Sequence, residues 1–157
     1  SKVPGDGRTV LDCRGYAARD RLPELRGVRG EMLLLHSDDV QFARPIRLLH
    51  PRGMHYLVPR GGGDYMLGGS MLESDDAGAT SARSVMELLN AAYALHPALA
   101  EARILELGHG LRPAFPDNLP RLGQRDGRWH LNGLFRHGYL LAPALAQQAA
   151  VRLLEAA

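Results

Sequence analysis

Three segments of this sequence combine glycine, proline and arginine within otherwise apolar surroundings. They lie at 56–71, 108–123 and 133–144, and each places an arginine beside glycines that let the backbone approach a ligand closely. On composition alone the simpler reading is favoured, in which the arginines are surface or ion-paired residues and the glycines lie at bulges and turns. The three segments are candidates for a ligand site, but their composition does not identify the ligand.

Other kinds of site find less support. The seven histidines include no pair four residues apart on a helix with a neighbouring glutamate, so we expect no metal site. The single cysteine, Cys13, excludes an internal disulfide and a cysteine-based zinc site, and is expected to be a small buried apolar residue. Glycine-rich phosphate loops and the zinc-protease and serine-hydrolase motifs are missing.

Charge and hydropathy restrict the partners. The 19 basic and 17 acidic residues are spread along the chain and leave a net charge of +2, which is not the basic footprint of a nucleic-acid-binding protein. No apolar run reaches the roughly 18 residues of a membrane helix, and the first ten residues lack the apolar core of a signal peptide. We therefore expect no nucleic-acid or membrane partner and a cytoplasmic location.

Five motifs occur in an order and at intervals that resemble one family. They are VRGE (28–31), YLVPR (56–60), GGSM (68–71), GLRP (110–113) and GLFRHGYLLAP (133–143). Together they resemble the FAD-dependent amine and amino-acid oxidases related to D-amino acid oxidase, most closely the glycine oxidases of thiamine biosynthesis. The resemblance covers nearly the whole chain from Val10 onward.

The resemblance implies a set of substrate-binding residues. Arg112 would bind the substrate carboxylate, and Arg136 would be the second arginine of the active site. Tyr56 would assist at the carboxylate through its hydroxyl and Met71 would line the pocket, although each is equally well explained as a packing residue. The implied substrate is a small, glycine-like amino acid or an amine, which oxygen as acceptor converts to imine or keto acid, ammonia and hydrogen peroxide.

The resemblance also implies flavin contacts. Gly15 would let the backbone approach FAD, and the segment 133–141 would wrap the isoalloxazine edge. Pro143 is expected to open the last helix, with its positive end toward the ring. Family members commonly have G-H-F/Y-R-N-G where this chain has Leu134 and His137, which leaves the substrate open. The residues expected to contact the flavin in segment 133–141 are Gly133, His137, Gly138, Tyr139 and Leu140.

The family's dinucleotide-binding strand and G-x-G-x-x-G loop are missing, which predicts a C-terminal fragment of a longer flavoenzyme. Residues 1–20 would end the FAD-binding domain, 21–132 would form the substrate domain, and 133–157 would return to face the flavin. The fragment alone is expected to be inactive and to lack tightly bound FAD, and its exposed apolar edge could form homo-oligomers. The alternative is a non-catalytic binding or interaction module that retains the fold.

The secondary-structure elements that position these residues are predicted from the spacing of apolar residues and from the prolines, glycines and capping residues that bound them. Thr80 or Ser81 can cap a helix that ends before Pro97, and a second helix with an apolar stripe of Leu145, Ala149, Leu153 and Leu154 follows Pro143. Prolines within 111–123 are expected to exclude regular structure there. The sequence thus predicts an α+β fold, with a mostly antiparallel sheet and two principal helices. Its strands are expected at 28–36, 45–50, 54–60, 65–71 (a hairpin with 56–60), 102–110 and 127–135.

Overall fold

The computed structural model describes residues 9–50 and 53–156. It divides into two compact units: residues 29–111 form the inserted unit, and the described residues up to Val28, together with those from Arg112 onward, form the terminal unit. The strands are β1 (Leu11–Asp12), β2 (Arg26–His36), β3 (Ile46–His50), β4 (Gly53–Gly61), β5 (Asp64–Gly68), β6 (Leu72–Glu73), β7 (Arg103–Ala114), β8 (Arg121–Arg125) and β9 (Arg128–Asn132), and the α-helices are α1 (Ala82–Leu95) and α2 (Gly138–Glu155). Short 3₁₀ helices cover Gly15–Asp20 and Pro97–Glu101.

A six-stranded sheet underlies the inserted unit, with the order β3-β4-β5-β2-β6 and with β7 paired to β2. The predicted hairpin is confirmed: β4 and β5 are antiparallel, and Tyr56 lies opposite Gly68. Alternate residues of the strands enter the core, where Leu33 and Leu67 are fully buried, because successive side chains of a strand point to opposite faces.

Helix α1 closes the core of the inserted unit from one side. The Ser81 hydroxyl accepts a hydrogen bond from the Ser84 amide at 3.2 Å, which satisfies one of the free donors at the helix start. The helix ends at Leu95, before Pro97, as the sequence predicts. Its buried face carries Leu88, which packs with the core residues of the sheet.

The terminal unit contains a three-stranded sheet of order β1-β9-β8. Strand β1 runs parallel to β9, and β8 and β9 form an antiparallel hairpin. Asp126 and Gly127 make the tight turn of this hairpin with φ of +50° and +70°, the left-handed values that such two-residue turns require. A small core of Ala18, Leu22, Leu25 and Phe115 lies in this unit. Cys13, which follows β1, is exposed and lies outside this core, so the expectation of a buried cysteine is wrong.

The α+β fold class and the mostly antiparallel sheet are confirmed, but the expectation for 111–123 is wrong. Strand β7 continues to Ala114, and β8 begins at Arg121. Pro113 is the second-last residue of β7 and Pro120 precedes β8, so their missing amides fall at strand ends, where they are tolerated. Strand β9 is shorter than the predicted 127–135, because Gly133 turns the chain with φ of +77°.

The start of the last helix also differs from the prediction. Helix α2 begins at Gly138, and Pro143 lies inside it instead of opening it. A proline within a helix lacks the amide that would bond the carbonyl one turn earlier, here that of Tyr139. Within the expected stripe Ala149 is buried, whereas Leu154 is 79% exposed. Among the described residues, no helix is both long and apolar enough to cross a bilayer.

By compactness the chain divides at residues 28 and 112, whereas the predicted segments end at 20 and 132. The functions assigned to those segments stay predictions.

Candidate functional site

The side chain of Asn132 joins the two glycines predicted to approach a cofactor. Its Nδ2 donates to the Gly15 carbonyl at 2.8 Å, and its Oδ1 accepts from the Gly133 amide at 2.8 Å. Asn132 is only 1% exposed, so both hydrogen bonds are shielded from water. A Cβ at Gly133 would overlap the Phe115 ring, and the φ of +77° also favours glycine. The terminal unit thus brings Gly15 and Gly133 together through a residue that the sequence analysis did not single out.

The turn at Gly15 is fixed from both sides by an exposed ion-pair network. Arg14 binds Asp12 at 2.8 Å and Asp20 at 2.8 Å, so one guanidinium spans the short 3₁₀ helix. The hydrogen bond from Arg14 lowers the pKa of the Asp12 carboxyl. Gly15 itself has φ of +63° and no side chain, which leaves its backbone open to close approach.

Arg112 and Arg136 lie on two segments of the terminal unit that are hydrogen-bonded to each other. The Phe135 amide donates to the Pro113 carbonyl at 3.1 Å, and each predicted arginine is the sequence neighbour of one of these partners. Phe135 has φ of +52°, a rare conformation for a bulky residue that is typically kept only at functional sites. Arg112 is half-buried, while Arg136 is exposed.

The start of α2 presents several of the predicted flavin contacts. The His137 amide donates to the Leu134 carbonyl at 2.9 Å, which forms the turn that leads into the helix. The amides of the first helical turn have no carbonyl partner within the helix and carry its partial positive charge. A Cβ at Gly138 would meet nothing within 4 Å, and the side chains of Tyr139 and Leu140 are exposed. This helix start is therefore open to an electron-rich ligand.

Tyr56 and Met71 belong to the inserted unit, and both lie at the turn formed by residues 68–71. The Tyr56 ring covers Gly68, where any Cβ would overlap it. Met71 follows three residues later and is 57% exposed, while Tyr56 is 37% exposed. Their exposure does not agree with the alternative that both simply fill the core.

The residues of the terminal unit fit a flavin. Gly15 has a left-handed φ and no side chain to cover its backbone, and the α2 start offers amide donors beside exposed aromatic and aliphatic side chains. Within the described part of the chain, no cluster of three or more His, Cys, Asp or Glu residues could hold a metal ion.

Comparisons with known proteins agree with this chemistry. A protein of Rhizobium etli named thiamine biosynthesis oxidoreductase ThiO is 58% identical over 149 residues, which cover 95% of this chain and 46% of that protein. The glycine oxidase of Pseudomonas aeruginosa is 38% identical over 121 residues, covering 74% of this chain and 32% of its own length. The crystal structure of the Geobacillus kaustophilus glycine oxidase is similar with a TM-score of 0.77 at 27% identity, over 94% of this chain and 41% of that one.

The chain spans less than half the length of each of these relatives. The profile of the family described as DAO, FAD dependent oxidoreductase, matches residues 2–152. By this match and by its identity to the curated relatives, the chain belongs to the DAO family of FAD-dependent oxidoreductases.

Proposed function

We propose that this chain is the substrate-domain part of a longer flavin-dependent oxidase that oxidatively deaminates a small, glycine-like amino acid or amine. The observation that carries the proposal is the hydrogen bond from Phe135 to Pro113, which joins the segments of Arg112 and Arg136 beside the open start of α2. The names of the relatives support an amino-acid substrate, since they include glycine oxidases.

In this proposal Arg112 holds the substrate carboxylate. Arg112 is half-buried, and a guanidinium can donate two parallel hydrogen bonds to a carboxylate, which would fix the orientation of a molecule as small as glycine. Tyr56 assists through its hydroxyl, Met71 limits the size of the pocket, and Arg136 adds positive charge. Because a neutral substrate amine needs no strong base, the reaction requires no side-chain acid–base pair.

Gly15, Gly133, His137 and the first turn of α2 would hold the flavin. When bound, FAD accepts a hydride from the substrate α-carbon and passes two electrons to oxygen, which becomes hydrogen peroxide. The protein orients the α-carbon, and the α2 amides favour negative charge on the ring edge they face. The released imine is hydrolysed to keto acid and ammonia. The chain by itself, without the rest of the oxidase, is proposed to be inactive.

The test is a flavin spectrum and a peroxide assay on the full-length protein with glycine, sarcosine and small D-amino acids. We expect a yellow protein that forms peroxide with at least one of them. A yellow protein that oxidises none of these compounds or any other small amine would favour the alternative, a non-catalytic module. The departures from the family motif at Leu134 and His137 would then be explained by the loss of activity. A cytoplasmic location, oxygen as acceptor and a homo-oligomeric state stay predictions.

A further inference from the structure

A buried ion pair lies within β2, in the motif at 28–31, and the proposed reaction does not use it. Arg29 is 3% exposed and Glu31 is 1% exposed. The Arg29 Nε donates to Glu31 Oε1 at 2.9 Å, and the Nη2 approaches the same oxygen at 2.8 Å. Such a pair gives little net stability over well-packed apolar residues, because desolvation of both charges offsets their attraction. Its presence therefore calls for another role.

The remaining donors of Arg29 go to one segment of the chain, residues 70–81. Its Nη1 donates to the Asp76 carbonyl at 2.6 Å, and its Nη2 donates to the Ala79 carbonyl at 2.7 Å. Both acceptors are backbone carbonyls in the irregular stretch between β6 and α1. One guanidinium thus fixes the middle of this segment to the sheet.

Glu31 holds the two ends of the same segment. Its Oε1 accepts from the Ser81 amide at 3.1 Å, and its Oε2 accepts from the Ser70 hydroxyl at 3.3 Å. The backbone adds two further bonds, from the Ser70 amide to the Glu31 carbonyl at 3.1 Å and from the Glu31 amide to Ser70 Oγ at 2.9 Å. The pair therefore holds segment 70–81 at its ends and in its middle, and Glu31 also accepts a hydrogen bond from Ser84 of α1.

The charge on Glu31 is maintained in this site. Burial alone would raise the pKa of the carboxyl, but hydrogen bonds from Ser84 and Ser81 and the pairing with Arg29 hold it below its ordinary value. The carboxylate also lies at the positive end of α1, where a negative charge is favoured. The Glu31 carboxyl therefore stays ionised at neutral pH.

We propose that the Arg29–Glu31 pair is a positioning device: it clamps segment 70–81 to the sheet and thereby sets Met71, the residue after Ser70, at the substrate pocket. Neither residue touches the substrate in this assignment. The role of the pair in clamping stands on its own contacts, whereas its effect on the substrate rests on the proposed function of Met71.

The clamp is tested by limited proteolysis of the full-length protein with a glutamate-specific protease. Glu73 lies in the segment and is exposed, so cleavage after it reports opening of the clamp. Arg29→Lys keeps the buried charge but cannot reach all three acceptors, and we expect cleavage at Glu73 to accelerate at least about tenfold. Arg103→Lys, on an exposed site of β7, is the matched control and should leave cleavage unchanged. Equal cleavage in Arg29→Lys and wild type would overturn the clamp.

The positioning role is tested by kinetics in the same protein. We expect Arg29→Lys to raise the KM for the amino acid several-fold with a smaller change in kcat, and its effect on kcat/KM to be non-additive with that of Met71→Ala. A merely structural role would lower the melting temperature and leave KM unchanged. Additive effects would overturn the link to Met71. If Arg29→Lys does not fold, Ser70→Ala, which leaves the ion pair intact, decides by the same two measurements.

These two measurements separate the inference from the proposed function. A wild-type protein that oxidises no amine would contradict the proposed function, while the proteolysis of Arg29→Lys would still decide whether the clamp exists.

Discussion

The Arg112 guanidinium is expected to be the main group that binds and orients the substrate. Arg112→Ala removes a charge-assisted pair with the carboxylate, so kcat/KM for amino acids should fall by a factor equivalent to roughly 2–5 kcal/mol. Arg112→Lys should recover only part of this loss, because a lysine keeps the charge without the fork. Steady-state peroxide assays on the full-length protein measure both effects.

Amines without a carboxylate are the internal control for Arg112. Their turnover should change much less than that of amino acids in the same variants. If Arg112→Ala stays within a few-fold of wild type for amino acids, Arg136 becomes the candidate anchor.

Gly68 is expected to set the position of the Tyr56 ring. Gly68→Ala would force the ring away, since the new Cβ overlaps it, and should destabilise the protein by about 1–3 kcal/mol while raising the KM for the amino acid. Gly123→Ala is the matched control, because its Cβ would make only ordinary contact with His130 at 3.5 Å. Chemical unfolding and kinetics of the two variants test this. Equal KM values would show that the ring position does not matter for binding.

The sequence motifs singled out Arg112, Arg136, Tyr56 and Met71 as candidate site residues. They did not indicate the residues that fix the backbone around the candidate site. Asn132 was missed because a single asparagine before a glycine has no characteristic spacing, and its partner Gly15 is distant in sequence. The left-handed φ of Phe135 was also missed, because no residue-type preference predicts a phenylalanine there. Such features depend on tertiary context.

At the scale of elements, we expect stability and flavin retention to depend most on the link between the end of β9 and the turn at Gly15. Asn132→Ala leaves the Gly133 amide and the Gly15 carbonyl without their buried partner, which should cost about 1–3 kcal/mol of unfolding free energy. It should also weaken FAD retention in the full-length protein. Gln124→Ala, an exposed amide on the neighbouring β8, should change neither. Urea unfolding and flavin release on dilution measure the two effects, and unchanged flavin affinity would separate Asn132 from the cofactor.

Most of the elements could be predicted, because the spacing of apolar residues and the positions of glycines, prolines and capping residues are local signals. The capping serine and Pro97 bound α1, and the glycine-rich turn at 61–63 joins β4 to β5. Strand β8 is not predicted, because the prolines that precede it in the sequence indicate a break in regular structure. The start of α2 was placed too late because Pro143 was given the first-turn position that prolines favour.

For the whole molecule, the buried His55 and the half-buried His130 predict a loss of stability in acid. Burial lowers the pKa of His55 in the inserted unit and of His130 in the terminal unit below the ordinary value of 6.5. Below that value the unfolded chain binds protons that the folded chain does not, so this stability is present above about pH 6.5 and falls as the pH decreases. Urea unfolding between pH 7.5 and 5, in steps of about half a unit, should show the decline, and His130→Gln should make it shallower.

His36 is the control of opposite sign. The hydrogen bond with Asp64 raises its pKa above 6.5, so its contribution is full below that value and is lost as the pH rises through the folded-state pKa. His36→Gln should therefore steepen the acid decline. A stability independent of pH in the wild type, in His130→Gln and in His36→Gln would contradict this assignment.

Self-association is expected of the chain when it is produced alone. Helix α2 carries apolar residues around most of its circumference, and Tyr139, Leu140, Val151 and Leu154 are all exposed. Exposed apolar patches of this kind favour association or aggregation. Sedimentation at increasing concentration should show oligomers, and the chain should be colourless. A strictly monomeric chain at high concentration, or one that retains stoichiometric flavin after gel filtration, would contradict these expectations.

The division into an inserted and a terminal unit has a consequence for the order of events on the ribosome. Residues 29–111 are contiguous, so the inserted unit can fold as soon as they have left the exit tunnel. The terminal unit must wait, because Leu22 and Leu25 share their core with Phe115 and Gly15 is bound by Asn132. During synthesis, the part of the terminal unit that precedes residue 29 therefore stays without its partners until the last third of the chain emerges. This part is the one that a ribosome-associated chaperone would need to shield.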